Sequence, residues 1–143
     1  MTETEQTERF PKRDDDGRIV SLVEMMLFVM ILLLVGVLML SAIDGLFWLL
    51  GFGEFGQISG WIAGLLAIFV FLDDFRAWKE FRVRWGVAPV ALVLSTVAGL
   101  GVVSIMPEFW LPLYHGALGV TVFALIYTVL WFTGMRLMGE REI

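Results

Sequence analysis

Five side chains near the edges of long apolar runs are of types that move protons or hold cations: Glu24, Asp44, Glu54, Glu108 and the single histidine, His115. Glu24 opens the first apolar run. A carboxylate inside a membrane is costly and is therefore a candidate for proton exchange with a cationic substrate. Its place within about a turn of the boundary favours another role, in which the side chain snorkels to the interface. Asp44, Glu54, Glu108 and His115 form a donor set suited to a divalent cation. They come from three separate stretches, however, and no two share a ligand spacing on one helix. A histidine beside Tyr114 at a helix start reads as an interfacial hydrogen-bonding residue, and no metal site is expected.

Other chemistry is excluded more firmly. The chain has no cysteine, so disulfides, thiolate catalysis and cysteine-held metals are ruled out. One histidine cannot supply the paired axial ligands of a dihaem cytochrome. No HExxH, no GxxxxGK[ST] and no Ser/His/acid order is present. No basic surface offers itself to nucleic acid, and the net charge is −5. The sequence therefore implies neither an enzyme nor a cofactor.

The elements that carry these residues are apolar to a degree that soluble domains do not reach. The mean hydropathy is +0.84, and 59% of the residues are hydrophobic. Uncharged runs of 19, 18, 23 and 27 residues separate Glu24 from Asp44, Glu54 from Asp73, Arg84 from Glu108, and Glu108 from Arg136. About 20 apolar residues suffice for a helix to cross the hydrocarbon. The expected fold is an all-α, four-helix transmembrane bundle with helices over about 22–43, 57–72, 86–106 and 113–135. The polar residues 1–18 read as a flexible tail, because they carry too little apolar surface to offset ordering entropy.

Between the second and third runs lies Asp73–Gly86, DDFRAWKEFRVRWG. Read as a helix, it places Phe75, Trp78, Phe81 and Trp85 on one arc, with Arg76, Lys79, Arg82 and Arg84 on its edge or outside it. The pattern reads as a short amphipathic segment, a helical extension and turn with aromatic anchors at the headgroup level; the sharper alternative is an interfacial helix that binds anionic lipid, with the bilayer as its partner. Lys and Arg occur in the N-terminal tail, in this segment and after the fourth run. The positive-inside rule then puts both termini and this segment on the cytoplasmic side of the cell membrane.

Two stripes of small residues recur at a spacing of four: Gly56, Gly60 and Gly64 on the second helix, and Ala91, Ser95 and Gly99 on the third. Such stripes let backbones approach closely where lipid removes the hydrophobic drive. Consecutive helices are antiparallel neighbours by default. The stripes are thus expected to meet, Gly60 opposite Gly99 and Gly64 opposite Ser95, with Gly36 on the first helix more tolerant of enlargement. The function these features suggest is non-enzymatic: an accessory, scaffold or interaction component of the membrane, partnered by itself or another membrane protein. The alternative is a subunit of a small oligomeric transporter or channel.

Overall fold

A computed structural model describes residues 9–52, 56 and 59–142. The chain folds into helices α1 (Leu22–Leu49), α2 (Ser59–Ile62), α3 (Gly64–Ala77), α4 (Arg84–Ser104) and α5 (Pro112–Glu142). Among the described residues there is no strand, only one isolated antiparallel bridge between Arg13 and Ile19. By length and composition, α1, α4 and α5 are each able to cross a membrane. The second apolar run is divided differently: α2 and α3 are separated by Ala63 alone, which keeps helical dihedrals. α1 has apolar residues on every face and buries only one line of them, Met25, Val29, Leu33 and Gly36, as suits a helix whose remaining faces meet lipid.

Two boundaries depart from expectation. α1 does not stop at Asp44-Gly45; it continues to Leu49, and the Asp44 carboxylate accepts the Gly56 amide across the following loop. α3 runs past Leu72 to Ala77 because Asp74 belongs to its inward face. Residues 78–83 lie between α3 and α4, with turns at 78–80 and 82–83, so the stretch 73–86 is a helix end, a turn and a helix start, the helical extension and turn of the first reading and not the separate interfacial helix of its alternative.

α5 is the hub, packing against α1, α2, α3 and α4, and α4 has its main contact there. The contacts fix the directions of the helices. Gly60 and Gly64 meet the start of α5, while Asp74 and Trp78 meet its end, so α2–α3 runs parallel to α5. α4 is antiparallel to α5, with Gly99 against Gly119 and Val87 against Gly134. α1 is antiparallel to α3: Ile19, just before α1, reaches Asp74, while Gly36 meets Ala63.

The expected contact between the two small-residue stripes is therefore not made. α3 and α4 make little direct contact, and a cleft of about 500 Å³ opens between them. Both stripes turn to α5 instead. A Cβ on Gly60 would stand 2.6 Å from the Leu113 carbonyl oxygen and 2.7 Å from the Ala117 nitrogen. One on Gly64 would strike Val120, one on Gly56 would meet Leu113, and one on Gly99 would stand 2.9 Å from the Gly119 carbonyl oxygen. Ala91 and Ser95 are buried on the same face of α4 as Gly99. The physical reason lies on α5, whose own small residues, Gly116, Ala117, Gly119 and Ala124, provide the complementary groove. Gly36 is equally committed, 2.8 Å from the Ala63 carbonyl oxygen on the same construction, and is not the tolerant position expected.

Candidate functional site

The polar residues converge at one end of the molecule, where the N-terminal residues, the end of α3, the turn after it and the end of α5 meet. The segment DDDGR begins the construction. Asp and Gly favour tight turns, and Gly17 takes φ +83°, a conformation that side chains with a Cβ disfavour. The Asp14 carboxylate accepts the Asp16 and Arg18 amides at 3.1 and 2.8 Å. Backbone bonds then close a small hairpin, Asp14 N to Arg18 O at 2.9 Å and Val20 N to Lys12 O at 3.1 Å. Residues 9–20 are thus built into the fold where the composition suggested a flexible tail; residues 1–8 lie outside the described residues. The polar composition misleads because the hairpin is held mainly by hydrogen bonds, with only Pro11 and Ile19 buried.

Asp74 anchors this hairpin to the helices. Its side chain is 2% exposed. One oxygen accepts the Ile19 amide at 3.0 Å and the other accepts the Trp131 indole N–H at 2.7 Å. One buried carboxylate thereby joins the hairpin, α3 and α5. Burial of an unpartnered charge would be prohibitive; here both oxygens have donors. Arg136 completes the junction from α5 by donating to the Ile19 carbonyl at 3.0 Å.

Around that bond lies an aromatic and guanidinium layer. The Arg18 guanidinium carbon sits 4.6 Å from the Trp78 ring and 4.9 Å from Phe81, and its Nε donates to Ala77 O at 3.4 Å. Arg136 lies 5.9 Å from Trp78 and 5.2 Å from Phe132. Such cation–π contacts contribute about 0.5–2 kcal/mol each, depending on desolvation. On α5, Phe123, Tyr127 and Trp131 stack at intervals of four, and Phe71 and Phe75 of α3 pack onto them.

The aromatic arc expected at the headgroups is mostly turned inward. Trp78 is buried and its ring lies against Gly139; Phe75 and Phe81 are half-buried on neighbouring rings. Trp85 alone of the four is largely exposed, at 68%. Arg84 is drawn in as well, donating to Phe75 O at 3.1 Å with its guanidinium over Phe75 and Trp85. Arg76, Lys79 and Arg82 remain exposed.

Glu24 proves to be part of the same junction. Ser21 caps α1 by accepting the Glu24 amide, and the Glu24 carboxylate accepts the Lys12 amide at 2.6 Å. The side chain thus fastens the other edge of the hairpin, and Arg13 adds an ion pair with Asp73 at 3.1 Å. Glu24→Ala is expected to loosen residues 10–14, costing about 1 kcal/mol, because the charge-assisted bond that is lost is exposed and screened by solvent. Trypsin should then cut at Lys12 or Arg13 faster than in the parent, with Glu24→Gln close to the parent because it keeps an acceptor. Equal cleavage of all three proteins would show that the contact does not hold the hairpin.

The remaining polar candidates do not come together. At the opposite end, Asp44 binds the Gly56 amide, His115 contacts Leu111 O just before its own helix, and Glu108 is exposed. Glu54 lies outside the described residues. Among the described residues, no three His, Asp or Glu side chains gather as a metal site would require.

No family model, curated protein or solved structure matches the chain. Function must be argued from the residues themselves. Asp74, Trp131 and Arg136 were not singled out from the sequence, although a signal was there. Gly60, Gly64, Ala67, Phe71, Asp74 and Trp78 follow one another at steps of three or four, which places Asp74 on the inward stripe of its helix.

Proposed function

We propose that this chain is a four-helix protein of the cell membrane that acts as a non-enzymatic scaffold or interaction component. α2 and α3 together form its second crossing, and both termini face the cytoplasm. The alternating directions of α1, α2–α3, α4 and α5 suit four crossings joined by short connections. The basic residues of the hairpin, of 76–84 and of α5 share one end, as the positive-inside rule asks.

The observation that carries the non-enzymatic reading is how the buried polar groups are used. Asp74 has a donor on each of its oxygens from within the fold. Ser95 and Thr128, and the half-buried Thr121, return their hydroxyls to carbonyls one turn earlier on their own helices. These groups brace the structure and are not poised to bind a substrate. The exposed Arg76, Lys79, Glu80 and Arg82 then offer a cytoplasmic surface carried on a rigid junction.

The absence of native cysteine makes the topology directly testable. Single cysteines at Lys79 and Phe109, both exposed at opposite ends, should label from opposite faces of intact cells, Phe109→Cys with an impermeant reagent and Lys79→Cys only after permeabilisation. Labelling of both from outside would overturn the topology. For the scaffold role, the native protein should co-purify with a defined membrane partner and lose it on charge reversal at Arg76 and Arg82. Cation-coupled flux in proteoliposomes would favour the transporter reading instead.

A further inference from the structure

A cleft of about 410 Å³ runs between α1 and α3 at the charged end. Its walls are of two kinds. Phe28, Leu32, Phe69 and Leu72 line the apolar part, while Arg13, Asp73 and Arg76 line its mouth. A pocket that is apolar along its length and cationic at its rim fits an amphiphile, the charged end of which sits where the headgroup layer lies.

The charges at the mouth are not equivalent. Arg13 is already occupied, bonded to Gly17 O at 2.8 Å and paired with Asp73 at 3.1 Å. Arg76 is exposed, and its guanidinium makes neither a hydrogen bond nor an ion pair among the described residues. One pair and one free guanidinium leave a single net positive charge over the apolar cleft. Arg also suits phosphate, which accepts two parallel N–H bonds from its planar fork.

We infer that the α1–α3 cleft binds one anionic phospholipid of the cytoplasmic leaflet, with its phosphate on Arg76 and an acyl chain along Phe28, Leu32 and Phe69. The inference rests on the proposed membrane topology, which the cysteine labelling tests separately. The mouth of the cleft shares Arg13 and Asp73 with the hairpin, while the bonds made by Asp74 and Glu24 lie outside it, so a phosphate on Arg76 leaves those bonds in place. An acyl chain gains with every methylene it buries, and the rim decides which headgroup is kept.

The test is binding of phosphatidylglycerol and phosphatidylcholine of equal chain length to the full chain in neutral detergent, read by native mass spectrometry. One phosphatidylglycerol should be retained in preference to phosphatidylcholine. Arg76→Gln should weaken its retention about fivefold, the effect of one basic residue near a membrane surface. Asp73→Asn should strengthen it by removing the acid from the rim. Arg82→Gln, outside the cleft, should leave it unchanged. Leu32→Trp, which narrows the apolar part, should reduce binding of both lipids. Inorganic phosphate should not compete, since it lacks the chain. Equal retention of both lipids would overturn the inference, as would equal losses from Arg76→Gln and Arg82→Gln or competition by phosphate alone.

Discussion

Replacing Gly60 with alanine, a single added methyl group, should destabilise the protein by about 2–3 kcal/mol, towards the top of the usual range for overpacking. The size follows from what the methyl would meet. Its two nearest neighbours are the Leu113 carbonyl oxygen at 2.6 Å and the Ala117 nitrogen at 2.7 Å, and the Gly116 carbonyl carbon stands at 3.0 Å. All three are backbone atoms of α5, so no rotamer change can relieve the clash and one helix must back away from the other. Separation would cost dispersion along the whole seam, which also includes Gly56 and Gly64. Gly86 and Gly101 are the internal controls. They lie within α4 with nothing inside 4 Å of the added atom, so alanine there should stabilise by about 0.5–1 kcal/mol through helix propensity. The measurement is the unfolding midpoint of each variant in a mild detergent titrated with a denaturing one. A Gly60→Ala midpoint equal to that of Gly101→Ala would remove α5 as the partner of this stripe.

That seam also marks how far the sequence could be read. Four apolar runs and their helical character follow from the distances between charged residues. The small-residue stripes are legible in the same way, because spacing on a helix is a local property. Which helix fills each groove is not local. Sequence adjacency favoured α3 against α4, but α5 carries small residues of its own at Gly116, Ala117, Gly119 and Ala124, and two complementary grooves approach more closely than either could approach a bulky face. On α5 the stripe that faces inward, Val120, Ala124, Thr128, Trp131 and Met135, mixes small, polar and large side chains, so composition alone does not mark it.

The junction at the charged end was obscured for a related reason. Asp73 and Asp74 are neighbours with the same side chain, and composition treats them alike. The helical period separates them by about 100°, so Asp74 faces the core and Asp73 faces solvent. Burial of Asp74 is tolerable only because two donors arrive from residues 55 and 57 positions away, Ile19 and Trp131. The hairpin that brings Ile19 depends on the turn DDDGR, whose charges alone suggest a solvated tail. Long-range partners of this kind leave no periodicity to find.

The contrast between the two aspartates gives the second large effect. Asp74→Asn should cost about 2–4 kcal/mol despite matching the parent in shape. Both carboxylate oxygens accept, one from a backbone amide and one from an indole; an asparagine can offer one acceptor and must turn an NH2 group toward the other donor. A buried donor left unsatisfied costs about 1–3 kcal/mol, and a bond to a charged acceptor contributes about 1.5–3. Asp73→Asn should cost no more than about 1 kcal/mol, because that side chain is 60% exposed and its pair with Arg13 is screened. Trp131→Phe removes the indole donor while keeping most of the ring, and the double variant with Asp74→Asn should cost less than the sum of the two, by about 0.5–3 kcal/mol. Hydrogen exchange supplies a readout that general destabilisation cannot imitate. In Asp74→Asn the Ile19 amide should exchange faster by more than the loss of global stability accounts for, while amides midway along α4 should follow global stability alone. Additive costs in the double variant, or an Ile19 amide that tracks the α4 amides, would mean that Asp74 does not hold the hairpin to α5.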